Sequence, residues 1–304
     1  MSSSAPLIVG IGELLWDILP SGKQLGGAPA NFAYIAGLLG NRAAVVSRVG
    51  MDALGFEACD RCRDLGTDIS HIQSDPDHPT GTAQISIDTT PAQHSFEIIE
   101  NVAWDYLTWN PDLEELAAKV NAVCFGSLAQ RHDPSRSTIQ QFLRATRESC
   151  LRIFDVNLRQ SFFNPTILKT GFALSTVTKL NDAELPVVMA AVGLPCCDDH
   201  AQDCAVLLEH FGLELVCLTR GSKGGLLVTR DRKSEHYGFP VKVADTVGAG
   251  DAFTAALADQ LLRGATLDQV NEFANRVASW VASQPGATPS PSAAAPLPFA
   301  SGMD

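Results

Sequence analysis

From residue 122 onward the chain alternates short apolar runs with amphipathic segments, and this alternation restricts the fold more than any other feature. Residues 122–128 read as a strand, 135–150 as an amphipathic helix and 151–157 as a strand. Residues 174–180 read as another strand, and Asn181-Asp182-Ala183-Glu184 opens a helix. A helix at 201–211 then leads to a strand at 213–219. Such alternation predicts a mostly parallel sheet with helices on both faces. Ligand sites in such sheets lie past the carboxyl ends of the strands. Polar residues stand at those ends here: Asn157 and Arg159, Asn181 and Glu184, Thr219 and Gly221. Each alone reads as a loop or cap residue, but their shared position after successive strands marks them as site candidates.

The N-terminal part carries a different pattern. Residues 6–12 form a short apolar run ended by glycine, a buried first strand. Glu13 and Asp17 follow it. The 13–19 run reads either as a strand with one face toward a ligand or as a half-exposed edge strand. Next comes Gly26-Gly27-Ala28-Pro29-Ala30-Asn31. The glycine pair permits close approach of the backbone to another group, and Pro29 suits the first turn of a helix. A ligand with several hydroxyls would fit Gly26, Gly27 and Asn31; the plainer reading of Asn31 is a polar helix-start residue. Residues 43–50 read as a second core strand and 54–65 as a helix. Residues 80–88 and 94–100 alternate with period two around a Thr89-Thr90-Pro91 turn, which predicts a hairpin. With the 14–19 run it makes a small separate sheet, a candidate lid. Trp104 follows, and reads as a core or lid-packing residue, with stacking on the face of a ligand as the alternative.

The stretch Asp245-Thr246-Val247-Gly248-Ala249-Gly250-Asp251-Ala252-Phe253 reads as a glycine-rich turn that becomes a helix N-terminus. Unpaired amides and the positive end of the helix dipole make such a terminus an anion site. A carboxylate there repels the anion, so Asp251 needs a reason. Taking the proton from a hydroxyl that attacks a bound phosphate is one. Before this stretch, 220–225 reads as a turn, 225–229 as a strand and 236–243 as a short strand. After it, 267–283 reads as a helix. The end is rich in Pro, Ala and Ser; it is expected to pack to about Ser290, with 291–304 a weakly ordered tail.

Composition narrows the partners. The 304 residues include 22 Lys and Arg against 34 Asp and Glu, a formal charge of −12. That argues against nucleic acid and anionic membrane as partners, and any anionic substrate must be held by local features. Most of the eight cysteines read as small buried hydrophobes in a reducing compartment. The group Cys196, Cys197, His200 and Cys204 lacks paired CxxC spacing and reads as a polar loop entering a helix, rather than a metal site. The start has no basic segment before an apolar core, and no run approaches the ~18 apolar residues of a membrane span. A cytoplasmic location is the expectation.

With these residues in view, the sequence resembles a ribokinase-type (PfkB family) carbohydrate kinase over nearly its whole length. The Gly26 to Asn31 run resembles the family's sugar-side motif, and Asp245 to Phe253 resembles its DTxGAGDxF signature. Asn181-Asp182-Ala183-Glu184 matches its NxxE motif. Phe154-Asp155-Val156-Asn157-Leu158-Arg159, with the glycine-rich run, looks most like fructokinases. The resemblance implies one ribokinase-like α/β domain over 1–304, with a mainly parallel central sheet, helices on both faces and a small β lid from about 13–25 and 80–101. It implies an ATP-dependent kinase that phosphorylates a hydroxymethyl group of a free sugar, with D-fructose giving fructose 6-phosphate as the leading case. Asp251 then resembles the general base, and Gly248, Ala249 and Gly250 the anion hole. Asp17, Gly26, Gly27 and Asn31 match sugar-binding positions, and Arg159 lies near acceptor and phosphate. Thr219, Gly221 and Gly224 resemble nucleotide-side residues, and Asn275 borders the adenine. Asn181 and Glu184 fall on the Mg²⁺ and phosphate side, Glu184 through water. Asp245, Val247, Val281, Gln284, Gly286 and Ser290 match a monovalent-cation loop for K⁺. Lids of this kind often form a homodimer interface. Ribose, 2-keto-3-deoxygluconate and nucleoside acceptors stay open, as does a catalytically silent regulatory member. A dinucleotide oxidoreductase does not, because Gly10-Ile11-Gly12-Glu13-Leu14-Leu15 lacks the third glycine of GxGxxG.

Overall fold

Successive side chains of a strand point to opposite faces, and here that parity separates two cores. Leu7, Val9 and Ile11 of β1 (Leu7–Ile11) join one core, and Ile8 joins the other. Val123 and Phe125 of β8 (Ala122–Phe125) go with the first; Ala122 and Cys124 go with the second. The same split holds in β11 (Leu215–Thr219), with Val216 and Leu218 opposed to Leu215 and Cys217. Strands apolar on both faces must be covered on both, and helices cover them. The computed structural model describes residues 5–20, 22–87, 94–197, 199–292 and 296–297.

The large sheet has nine strands in the order β13-β12-β11-β10-β9-β8-β1-β4-β5. Besides those named, these are β4 (Arg42–Gly50), β5 (Ile72–Asp75), β9 (Leu151–Asp155), β10 (Val177–Asn181), β12 (Gly225–Val228) and β13 (Lys233–His236). Pairing is parallel from β11 to β5 and antiparallel only at β11–β12 and β12–β13. Helices α1 (Ala28–Leu38), α2 (Ala53–Asp64), α8 (Ala249–Leu262) and α9 (Leu267–Ala282) supply residues to the second core. The first core takes α3 (Pro111–Lys119), α4 (Asp133–Ala145), α5 (Pro165–Leu174), α6 (Glu184–Val192) and α7 (His200–Phe211). The expected α/β architecture is therefore present.

A separate four-stranded sheet has the order β3-β2-β6-β7. Its strands are β2 (Leu15–Leu19), β3 (Gly22–Gly26), β6 (Gly81–Ile87) and β7 (His94–Ile98). The 80–100 hairpin forms as expected, and β6 pairs with β2 in parallel. Its Thr-Thr-Pro turn lies outside the described residues. Trp104 is 1% exposed. It packs against Gly81, where a Cβ would lie 2.2 Å from the indole nitrogen, and under the Arg131 guanidinium. It is a core residue and not a stacking platform.

Three expected elements are corrected. The strand expected at 236–243 is Lys233–His236, because Gly238 at φ 77 turns the chain away and Pro240 has no amide for a ladder. The strand expected from residue 174 starts at Val177, since Leu174 closes α5, which begins at Asn164-Pro165 with the Asn164 side chain accepting the Ile167 amide. The 122–128 run keeps strand geometry only to Phe125. The expected weak order of 291–304 concerns residues that lie mostly outside the described ones; within it, Leu297 packs against the second core.

Candidate active site

Three chain segments meet over the carboxyl ends of β1, β9 and β10. The first is the turn from β1 into the small sheet. Glu13 there is 3% exposed, and burial pushes its carboxyl up to about 7; Asp251 raises it further and Arg159 opposes. Its Oε2 has no hydrogen-bond partner among the described residues. Asp17 on β2 faces β3, where a Cβ on Gly26 would lie 2.5 Å from Asp17 Oδ2. Burial raises the Asp17 carboxyl and the Arg159 charge lowers it. Gly27, at φ 113, caps α1, and a Cβ there would lie 2.4 Å from the Glu13 carbonyl oxygen. Glycine is therefore required at 27 on both conformational and steric grounds.

The second segment is α8 and the turn before it. Gly248 adopts the left-handed conformation at φ 78, and Ala249 N donates to Thr246 O. The first amides of a helix have no carbonyl four residues back, so the α8 terminus is electropositive. Asp251 sits in this first turn, and Asn31 Nδ2 of α1 donates to its Oδ2 at 2.8 Å. Burial pushes the Asp251 carboxyl up to about 6; Asp155 raises it further, while Asn31, Lys179 and Arg159 lower it. Asp251, Asn31, Glu13, Asp17 and Arg159 thus belong to one electrostatic cluster, although residues 13–31, the loop after β9 and α8 are far apart in sequence.

The third segment comprises the strand ends. Asn181 Oδ1 accepts the amides of Ala183 and Glu184 at 2.9 Å, and Glu184 Oε2 accepts the Asn181 amide at 2.8 Å. Glu184 Oε1 accepts the Leu158 amide at 2.8 Å and so ties the loop after β9 to the start of α6. Glu184 is 8% exposed, and burial raises its carboxyl while Lys179 lowers it. Thr219 ends β11, and Gly221 and Gly224 both have positive φ in the turn that follows. A Cβ on Gly224 would lie 2.0 Å from His236 O, so this turn is closed on β13. Asn275 is buried in α9 and donates to Asn271 O and Oδ1.

Behind the α8 turn, Asp245 closes a loop. Its Oδ1 accepts the Val247 amide at 3.0 Å and its Oδ2 the Gly286 amide at 3.3 Å. Gln284 N donates to Val281 O, and Tyr34 hydroxyl holds Pro289 O beside Ser290. Asp245 and Val247 thus lie on one segment and Val281, Gln284, Gly286 and Ser290 on a second, and the Asp245–Gly286 hydrogen bond joins the two. Cys196 and Cys197 instead donate their thiols to Asp203, and Cys204 is buried.

Glu13, Asp155, Lys179 and Thr254 also belong to this site, although no motif assigns them a role. The signal for two of them was available. Asp155 and Lys179 are ionisable residues at the ends of apolar strand runs, and they stand opposite each other in the β9–β10 register.

Comparisons with known proteins bear on the family and the fold. The pfkB family carbohydrate kinase pattern matches residues 21–294. The Salmonella typhimurium fructokinase is 31% identical over 260 residues, covering 81% of this chain and 81% of that protein. The crystal structure of a sugar kinase from Pyrococcus horikoshii in complex with ATP superposes with a TM-score of 0.78 at 27% identity, over 92% of this chain and 94% of that one. That of aminoimidazole riboside kinase from Salmonella enterica, complexed with the riboside and an ATP analog, gives 0.77 at 24% identity over 96% and 97%; at that identity it speaks to the fold alone. Among the described residues no helix is long and apolar enough to cross a membrane. With a nine-stranded sheet, a small second sheet and the glycine-turn aspartate all present, this chain belongs to the pfkB family of carbohydrate kinases.

Proposed function

We propose that the protein transfers the γ-phosphate of ATP to a hydroxymethyl group of a free sugar, D-fructose to fructose 6-phosphate. The observation that carries this reading is Asp251 in the first turn of α8, held by Asn31 and raised to about 6. A carboxylate so placed can accept a proton at neutral pH while the helix terminus receives a phosphate. Asp251 takes the proton of the acceptor hydroxyl as its oxygen bonds to the γ-phosphorus and the bond to the bridging oxygen of ADP breaks. The amides at Gly248, Ala249 and Gly250 stabilise the charge on the transferring group.

Asp17, Gly26, Gly27 and Asn31 hold the sugar hydroxyls, and Arg159 neutralises charge between acceptor and phosphate. Thr219, Gly221, Gly224 and Asn275 form the nucleotide side. Glu184 suits a hydrated Mg²⁺: its oxygens are hard donors, and each already accepts a backbone amide, which favours contact through water. Magnesium bound there, with Asn181 beside it, supplies charge neutralisation to the ATP phosphates. The loop of Asp245, Val247, Val281, Gln284, Gly286 and Ser290 holds K⁺ and stiffens the α8 turn. The small sheet acts as the lid, and the protein works in the cytoplasm.

A panel of D-fructose, ribose, 2-keto-3-deoxygluconate and aminoimidazole riboside with Mg-ATP, with and without K⁺, tests this. The expected result is the highest kcat/KM with fructose and stimulation by K⁺. Turnover confined to ribose or the riboside overturns the fructose assignment, and no turnover with any acceptor overturns the kinase reading.

A further inference from the structure

Ile153 of β9 and Val177 of β10 face the second core, and two residues further along the same face the apolar pattern stops at Asp155 and Lys179. These two are paired in register, and Lys179 Nζ lies 3.1 and 3.2 Å from the two Asp155 oxygens. Lys179 is 6% exposed and Asp155 3%. The pair touches α8: the Thr254 hydroxyl lies 3.0 Å from Asp155 Oδ2 and 3.0 Å from Gly250 O. A Cβ on Gly250 would lie 3.0 Å from Lys179 Nζ. The ammonium therefore sits directly under the glycine turn, and a side chain at 250 would press on it.

We propose that Lys179 is a positioning residue of the phosphoryl-transfer site, its ammonium clamped to Asp155 beneath the 248–250 turn so that it fixes the α8 terminus and offsets the negative charge around Asp251. The inference rests on the reading of Asp251 as general base.

A buried ion pair that served packing alone would be neutral toward its surroundings, and apolar residues would serve as well. This pair is not isolated. Burial works against the Lys179 charge, yet Asp155, Glu184 and Asp251 together hold it firmly protonated. The groups facing Asp251 are Glu13 from the β1–β2 turn, Asp155 from β9, Arg159 from the following loop, Lys179 from β10 and the Cys124 thiol from β8. Glu184 from α6 faces Lys179. Asp155 and Lys179 act on Asp251 with opposite sign, Asp155 raising its carboxyl and Lys179 lowering it. Because Thr254 spans Asp155 and Gly250, the same pair also sets the height of the turn over the sheet.

The test is the pH profile of kcat/KM with Mg-ATP and D-fructose for wild type, Lys179→Met, Asp155→Asn and the double variant. The acidic limb should move up by about one pH unit in Lys179→Met and down in Asp155→Asn, an opposite charge being removed in one and a like charge in the other. The double variant should lie between them. If both single variants leave the limb in place, or move it in the same direction, the inference is overturned. If Lys179→Met does not fold, Asp155→Asn decides: a downward move supports the inference and an unmoved limb overturns it. Asp251→Asn separates the two claims. Near-normal turnover in that variant removes the base reading itself. Loss of turnover there, with limbs fixed in the other variants, removes only the role of Lys179.

Discussion

Glu13→Gln should make the protein more stable, and only at high pH. The Glu13 carboxyl is 3% exposed, and one of its oxygens has no partner among the described residues. Its midpoint rises from the ordinary 4.5 to about 7 on folding, through burial first. The folded state therefore binds this proton more tightly than the unfolded chain. Below 4.5 both states hold it and Glu13 costs nothing. Between 4.5 and about 7 the unfolded chain releases the proton first, so stability falls as pH rises. Above that window the full cost applies, about 3 kcal/mol. Glutamine fills nearly the same volume and carries no charge. At pH 8 the variant should gain about 2–3 kcal/mol, or a melting temperature higher by about 5 °C, and at pH 4 almost nothing. Urea unfolding of both proteins at the two pH values measures it. An equal difference at both pH values would show that folding leaves the Glu13 midpoint where it is in the unfolded chain, contrary to the rise to about 7.

Other expectations follow from the same geometry. Wild-type kcat/KM should fall tenfold per pH unit below about 6 and level off above it, because Asp251, as the proposed base, can accept a proton only when ionised; a profile flat down to pH 5 would oppose this. Gly248→Ala forces a side chain at φ 78, with its Cβ 2.6 Å from Ala287 Cα. It should cost about 1–3 kcal/mol and lower kcat with sugar affinity little changed, as initial rates and thermal unfolding would report. Glu184→Gln should raise the Mg²⁺ concentration needed for half-maximal rate, read from a magnesium titration at fixed ATP.

Much of this fold was legible because its strands are short apolar runs between amphipathic helices, and because glycine at 26, 27, 248 and 250 leaves a strong local pattern. The alternation from residue 122 gave the parallel sheet, and period-two runs gave the 80–100 hairpin. What stayed hidden depends on tertiary pairing. β3 lies in Gly-Lys-Gln-Leu-Gly, a polar segment that becomes a strand only because β2 lies beside it. β5 is a four-residue edge strand with mixed polarity, visible only against β4. In the site, Asn31 and Asp251 were readable as separate motif residues, but their contact joins positions 220 residues apart. Glu13 and Lys179 stand in no motif, and Asp155 lies within the Phe154 to Arg159 run without a role of its own there. Each is an ionisable group at the end of an apolar run, and its meaning comes from the neighbours that the sheet brings to it.

Asp251 is proposed as the group that accepts the acceptor's proton. The most direct test is kcat of Asp251→Asn at saturating D-fructose and Mg-ATP, near neutral pH. Asparagine keeps the shape and a contact to Asn31 but accepts no proton at that pH. A fall of about 10²–10⁴-fold is predicted, with nucleotide and sugar still bound. Turnover close to that of the wild type would contradict the account.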